Sequence, residues 1–418
     1  MSIQRPTERP VERERPAPLG IDLATPDPIP AEGIAAATEL LHTGKLFRYA
    51  EAGGRPSEAA AWEEEFAAYL GRRYAVAVNS CGAALYLALH ALGVRPGDPV
   101  LVNSWTLAPV PGAVAHAGAR PVLLETTAEL TVDLDDLERQ GAAHPGSVLL
   151  LSHMRGHIAD LPAVVSLCTR YGLRLVEDCA HSLGGGWNGR PTGTSGAIGC
   201  FSTQTYKHLN SGEGGVLVTD DDDVAARAIL ASGSYALYGQ HTSRPPLSLL
   251  DSLAGAEPNH SMRLTSLAAA VLRPQLRSLP ERVAGWNERY ARIAEGLAEV
   301  PGIRLPVRPP SEQYVGSSLQ FFLDLTADQI GRFCLEADSL GVHVKWFGAP
   351  RPAAFTSAHR HWDYAGRQSL PQTDDVLSRL CDLRIPLALP LDRCDDVVAI
   401  LRHSLHSAHD HAASIKEN

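Results

Sequence analysis

Cys200-Phe201-Ser202-Thr203-Gln204-Thr205-Tyr206-Lys207-His208-Leu209-Asn210-Ser211-Gly212-Glu213-Gly214-Gly215, leading into the apolar Val216-Leu217-Val218, is the stretch on which the fold turns. An isolated lysine is ordinarily a solvated surface residue. This one sits among Gly, Ser and Thr, with Gly193, Gly196 and Gly199 just upstream. Glycines let the backbone approach a flat ligand, and hydroxyls supply donors for a phosphate. The setting marks Lys207 as a working lysine.

Reading outward, short apolar runs alternate with helical segments. Glu58 to Leu70 and Ala83 to Leu92 read as helices. Tyr74–Val78, Val100–Val102, Val122–Leu124, Val148–Leu151, Arg174–Val176 and Val216–Val218 read as strands. Apolar runs of three to five residues with helices between them predict an α/β domain whose mostly parallel central sheet is flanked by helices. Tyr235–Ser261 is loop-rich, Arg263–Val300 reads as one or two long helices, and Gln320–Asp324 belongs to a smaller C-terminal α+β domain. The expected division is a disordered leader over 1–29, a large domain over 30–260, connecting helices over 261–300, a small domain over 301–405 and a disordered tail over 406–418.

Composition narrows the class. The 418 residues are 44% hydrophobic and 20% charged, enough for a sizeable core. The formal net charge of -10 offers no basic stripe for nucleic acid. No run of eighteen apolar residues exists to span a membrane. Seven scattered cysteines without CxxC pairs, and an Arg-, Glu- and Pro-rich start without an apolar h-region, point to a cytoplasmic protein with reduced thiols.

Ligands of open α/β sheets sit beyond the carboxyl ends of the strands, and three more polar stretches lie there. Asn79-Ser80-Cys81-Gly82-Ala83 opens a helix; its backbone N–H groups suit a phosphate, although a Ser-capped tight turn would look the same. Glu177-Asp178-Cys179-Ala180-His181 follows Leu175-Val176. A carboxylate there can hold a proton on a ring nitrogen: at 3–4 Å a charge pair is worth roughly 4 kcal/mol at an effective dielectric of 20, about three pKa units. A helix-capping Asp is the plainer alternative. Asn103-Ser104-Trp105-Thr106 offers an indole that is either a core plug or a platform for a flat ring, worth about 1 kcal/mol beyond its buried area.

Asp178-Cys179-Ala180-His181, then Gly193-Thr194-Ser195-Gly196, Phe201-Ser202, Lys207 and Gly212-Glu213-Gly214-Gly215, in that order, resemble the DegT/DnrJ/EryC1/StrS family of aminotransferases, over roughly residues 30 to 405. The resemblance implies a pyridoxal 5'-phosphate enzyme of the aspartate aminotransferase (type I) fold, with Lys207 as the catalytic Schiff-base lysine. It implies that Asp178 pairs with the pyridinium nitrogen, Trp105 stacks on the ring, His181 lies near the ring hydroxyl and Ser202 contacts the phosphate. It further implies an amino acid donor (glutamate or glutamine), a keto sugar or cyclic ketone as acceptor, a role in sugar or secondary-metabolite (antibiotic) biosynthesis, and a homodimer with shared active sites, the Tyr235–Ser261 loop crossing between subunits.

The chain departs from the family in three places. The Gly-Thr phosphate loop reads Cys81-Gly82, so backbone donors remain but a hydroxyl is lost. The Asn-x-Arg-Met motif reads Ser261-Met262-Arg263-Leu264, which leaves Ser261 or Asn259 to reach the neighbouring phosphate. The His-Leu-Tyr-Gly segment reads His153-Met154-Arg155-Gly156. Arg155 introduces a guanidinium able to grip a carboxylate-bearing substrate, or simply to pair with an acidic neighbour; Arg263, Arg244 and Lys345 are further anion candidates. Competing readings are a non-catalytic sensor on the same fold, a hydrolase triad of Asp178, His181 and Ser202 (which lacks a GxSxG elbow), and metal ligation by His359/His361 or by His403, His406, His409 and His411. No metal is expected.

Overall fold

The computed structural model describes residues 15–50 and 54–414. Seven strands make the central sheet. They are β1 (Tyr74–Val78), β2 (Pro99–Asn103), β3 (Arg120–Leu124), β4 (Val148–Ser152), β5 (Arg174–Asp178) and, after the short hairpin β6 (Gly186–Trp187) and β7 (Arg190–Pro191), β8 (Ile198–Ser202) and β9 (Gly215–Thr219). The order across the sheet is β1-β9-β8-β5-β4-β2-β3. The pairs from β8 through β3 are parallel, whereas β9 runs antiparallel to β8 and to β1. Every residue of β1, β4, β8 and β9 is buried, which is why these strands read as continuous rather than alternating apolar runs.

The reversal at β9 has a local cause. Thr203–Gly214 folds back as a long hairpin, with Thr203 N donating to Gly214 O at 2.9 Å and Ser211 N to Thr203 O at 2.8 Å. Lys207 lies within this turn. Gly215 opens β9 because a Cβ there would stand 2.5 Å from the backbone C and O of Ser80. The helix Cys81–Ala91 therefore starts directly against the strand that follows the lysine. Leu85, Leu87 and Leu89 are at most 1% exposed, and the helix packs between the sheet and the helix Asp222–Gly233. An apolar sequence on all sides is what such a sandwiched helix requires. Burial of each Leu is worth about 1.5–3 kcal/mol.

The helix Ala31–Thr43 lies on the helix Ser266–Arg277, and the long helix Leu279–Ala298 leads into the C-terminal portion. After β10 (Ile303–Arg304) and β11 (Glu312–Gln313), which pairs with β6, come β12 (Ser318–Leu323), β13 (Val344–Trp346) and β14 (Leu380–Arg384). These give an antiparallel sheet in the order β10-β12-β14-β13, covered by the helices Ala327–Ser339 and Cys394–Ser414. Phe321, Phe333, Leu383 and Ile400 centre its core. Among the described residues no helix is long and apolar enough to cross a membrane.

Both expected disordered ends need correction. Residues 1–14 lie outside the described residues, but 15–29 dock on the C-terminal core. Leu19 and Leu23 are 1% and 6% exposed, and Leu19 N donates to Leu340 O at 2.8 Å. The expected tail, 406–418, continues the last helix to Ser414 and buries Ala408; residues 415–418 lie outside the described residues. Two leucines in a polar segment supply the anchor at the first end, and continuation of the helix, with Ala408 buried, does so at the second. The loop-rich Tyr235–Ser261 stretch contains the helix Leu247–Leu253.

Candidate active site

Asp178 ends β5 with only 4% exposure. Its Oδ2 accepts from Ser152 Oγ at 2.7 Å and its Oδ1 from Ala180 N at 3.1 Å. Ser152 closes β4, and its own N–H donates to Asn103 Oδ1 at 2.7 Å at the end of β2. Three adjacent parallel strands thus fix one carboxylate through side chains at their C-terminal ends. The Cys81 thiol approaches the same carboxylate at 3.8 Å, bringing the start of the helix Cys81–Ala91 to it. Ser80 caps that helix, accepting from Ala83 N at 3.0 Å. The Ser-capped turn and the anion-binding helix start are one structure, since the N–H groups of Cys81 and Gly82 have no helix carbonyl to meet.

The neighbouring Glu177 has a structural duty. Fully buried, it accepts from Ser195 N and Gly196 N at 2.7 and 2.8 Å, from Gly193 N at 3.0 Å, and lies 3.1 Å from His153 Nε2. It holds the Gly193–Gly196 loop against β5. Gly193 is obligatory there, with φ +79° and the Phe201 ring 2.4 Å from where a Cβ would be.

Lys207 Nζ lies 2.6 Å from His181 Nε2. Burial and the Arg155 guanidinium push the amine down to about 8, against an opposing pull from Asp178. Burial, then Lys207 and Arg155, hold His181 well below the ordinary imidazole range. A lysine made neutral near physiological pH is nucleophilic and able to take up a proton. Arg155, in a left-handed backbone conformation (φ 53°), pairs with Asp382 of β14 at 3.1 Å. Lys345 of β13 reaches the same Asp382 oxygen at 3.4 Å.

Lys207, His181, Asp178, Cys81 and Arg155 therefore converge, with Gly82 adjoining Cys81. Ser202 ends β8 beside them; its Oγ accepts from Gln204 N at 3.3 Å. Trp105 is different: its ring is 1% exposed, packed with Met154, Phe322, Phe347 and Leu377, so the core-plug reading describes it and no open face is presented. Ser261, in a left-handed conformation, donates to Asn259 Oδ1 at 3.1 Å. Arg263 donates to Gly233 O at 2.8 Å and lies over the rings of Phe47 and Tyr235, which leaves it bracing backbone rather than awaiting an anion. Arg244 likewise donates to Gly239 O and Pro245 O, both at 3.3 Å.

The hydrolase arrangement does not form, since the partner of His181 is Lys207 and that of Ser202 is a backbone amide. His359 pairs with Asp374 at 2.9 Å. The one metal-like trio among the described residues is His153, Glu177 and Cys179, whose carboxylate is occupied by backbone N–H groups. Sequence reasoning missed Ser152, Asn103 and Asp382. The first two lie at strand ends already singled out; Asp382 follows an apolar pair far along the chain and carries no local signal.

Comparison with known proteins agrees with this geometry. The chain is 36% identical over 288 residues to the dTDP-3-amino-3,4,6-trideoxy-alpha-D-glucose transaminase of Streptomyces venezuelae, covering 67% of this chain and 69% of that one. It is 36% identical over 250 residues to the L-glutamine:scyllo-inosose aminotransferase of Streptomyces griseus, covering 59% and 57%. The crystal structure of the aminotransferase TlmJ from Streptoalloteichus hindustanus superposes with a TM-score of 0.79 at 26% identity, covering 93% of this chain and 99% of that one. The model of the DegT/DnrJ/EryC1/StrS aminotransferase family matches residues 31–402, and the chain belongs to that family of pyridoxal phosphate-dependent sugar and cyclic-ketone aminotransferases.

Proposed function

We propose that the chain transfers the amino group of glutamate or glutamine to a keto sugar or cyclic ketone in sugar or secondary-metabolite biosynthesis, with Lys207 as the residue that carries and releases the cofactor. The carrying observation is the Lys207 amine, held at about 8 and 2.6 Å from His181, on the turn that faces Asp178. Named relatives acting on a dTDP-sugar and on scyllo-inosose support the acceptor class.

The residues fit pyridoxal phosphate. The start of the helix Cys81–Ala91 offers N–H groups to a phosphate, and at Gly82 a Cβ would meet nothing nearer than Ser80 Oγ at 3.8 Å, so the backbone there is open to approach. Ser202 would contribute its hydroxyl, and Ser261 of a second copy would complete the phosphate site. Asp178, fixed by Ser152, would hold a proton on the ring nitrogen. Bound there, the cofactor supplies the electron sink that makes a substrate α-proton removable. Freed from the cofactor, the Lys207 amine would take that proton from the donor's α-carbon, and in the second half of the cycle it would deliver a proton to the former carbonyl carbon of the acceptor, while His181 would accept a hydrogen bond from the amine and orient it. Shared sites require a homodimer. Exposed Tyr235 and Leu247 of the Tyr235–Ser261 segment, with exposed Phe47 across Arg263 from Tyr235, supply apolar surface for a partner.

The test is direct. Purified protein is expected to show visible absorbance that borohydride bleaches, with the reduced adduct mapped by mass spectrometry to the Lys207 peptide. Lys207→Ala should lose both. Converting the enzyme to its pyridoxamine form and screening ketones for return of the absorbance identifies the acceptor, and a particle mass of one chain would remove the dimer.

A further inference from the structure

The wall of the site facing Lys207 carries more positive than negative charge. Arg155 Nη2 and Lys345 Nζ both approach Oδ2 of Asp382, at 3.1 and 3.4 Å, and the other oxygen of Asp382 accepts from Gln320 Nε2 at 2.7 Å. The Asp382 side chain is fully buried, and those of Arg155 and Lys345 are 12% and 20% exposed. One carboxylate therefore serves two cations in a largely desolvated place, where unneutralised charge is costly. The Nε of Arg155 is buried without a hydrogen-bond partner among the described residues. A third cation borders the same wall: Arg384 lies 4.6 Å over the ring of Tyr206, the residue before Lys207. The positive field reaches the reacting amine, since Arg155 and Lys345 both depress the lysine.

A latch between β14 and the turn after β4 would need one cation on Asp382, not two. It would not need Arg155 in a left-handed conformation, which few non-glycine residues adopt. We propose that Arg155 and Lys345 form a carboxylate-binding subsite for a substrate, with Asp382 as the resident counter-ion that positions them. The inference rests on the transaminase reading for its location, because a carboxylate held there lies beside the amine of Lys207. The guanidinium fork offers Nε and an Nη to a carboxylate, and Lys345 adds a point charge. The carboxylate comes either from the amino donor, as its α-carboxylate, or from the acceptor.

Four proteins test this: the wild-type holoenzyme, Arg155→Met, Lys345→Met and Arg155→Lys. Each is titrated calorimetrically with glutarate, an unreactive dicarboxylate. Each is then assayed with L-glutamine against its decarboxylated analogue 4-aminobutanamide as donor, and with 3-oxocyclohexanecarboxylate against cyclohexanone as acceptor. Loss of a charge-assisted pair should weaken glutarate about 10- to 100-fold in Arg155→Met, and less in Lys345→Met. Whatever the variants do to both members of a pair through Lys207, KM for the carboxylate-bearing member of one pair should rise relative to its neutral partner by a similar factor, and the pair whose ratio moves names the source. Arg155→Lys should restore part of the loss. Glutarate binding and both selectivity ratios unchanged in variants that melt like wild type would overturn the subsite and leave a latch. Should the wild type lack the borohydride-sensitive absorbance, the transaminase reading fails, while the glutarate titration still decides the anion site. If Arg155→Met does not fold, Lys345→Met carries the same comparison.

Discussion

Lys207 Nζ and His181 Nε2 stand 2.6 Å apart, a contact that needs one donor and one acceptor, and both groups are held toward their neutral forms. The fold thus binds the lysine's proton more weakly than the unfolded chain does. In the protein stripped of cofactor, this contribution to stability rises with pH between about 8 and 10.5, and the penalty is complete below about 8. Lys207→Met should therefore stabilise the apoprotein at pH 7 by up to about 3 kcal/mol, and the gain should fade as pH approaches 10.5. Urea midpoints at neutral and alkaline pH measure it. A variant no more stable than wild type at pH 7 would mean that the amine is not desolvated.

Gly215 and Gly82 lie on either side of the same contact and should respond differently to alanine. At Gly215 the added methyl meets Ser80 backbone at 2.5 Å, so β9 or the helix start must move, costing about 1–3 kcal/mol. At Gly82 there is room, and alanine in a helix gains up to about 1 kcal/mol over glycine. Gly82→Ala should keep or raise the melting temperature and yet retain cofactor less well, because the methyl intrudes where backbone N–H groups would meet phosphate. Equal cofactor occupancy in wild type and Gly82→Ala after gel filtration would move the phosphate elsewhere.

Leu19 and Leu23 place a segment with no regular secondary structure into the C-terminal core. Truncating both to alanine should cost about 4–8 kcal/mol in the limit of no relaxation, from about 2–4 kcal/mol per buried Leu. The melting transition reads the loss directly. A double variant that melts like wild type would show that residues 15–29 do not dock in solution.

How much of this was legible follows from where each signal sits. The strands β1, β2, β4 and β5 announce themselves as apolar runs because both faces of the sheet are covered. β8 does not, because Ile198-Gly199-Cys200-Phe201-Ser202 mixes small and polar residues, and Gly199 leaves room for the Gly193 backbone to come close. The antiparallel sense of β9 depends on hydrogen bonds across the Thr203–Gly214 turn, which composition does not encode. At the site, Lys207, Asp178 and His181 were readable from their order in the chain. Asp382 was not: its pairing with Arg155 spans more than two hundred residues and exists only once β14 packs beside β12 and β13. Trp105 was read for its position at a strand end, and the burial that makes it a core ring comes from Phe347 and Leu377, distant in sequence.

Glu177 carries the last prediction, because it stands one residue from Asp178 and does entirely different work. Burial alone would raise its carboxyl, but the His153 imidazole and the N–H groups of Gly193 and Gly196 outweigh that and hold it below the ordinary carboxylate range. A depressed carboxylate contributes stability that is present above its unfolded value and lost as pH falls through the folded one. Glu177→Gln removes the charge and leaves a carboxamide whose NH2 end must face either the Ser195 and Gly196 amides or the Gly193 amide, donor against donor. The expected cost is about 2–4 kcal/mol at pH 7. It should shrink on acidification, because wild type loses the same contribution there. Urea midpoints compared at pH 7 and at the lowest pH at which wild type still unfolds cooperatively, below the ordinary carboxylate range, give both numbers. A constant difference between the two would assign the cost to packing rather than charge, and no difference at pH 7 would show that the Gly193–Gly196 loop holds its place without the carboxylate.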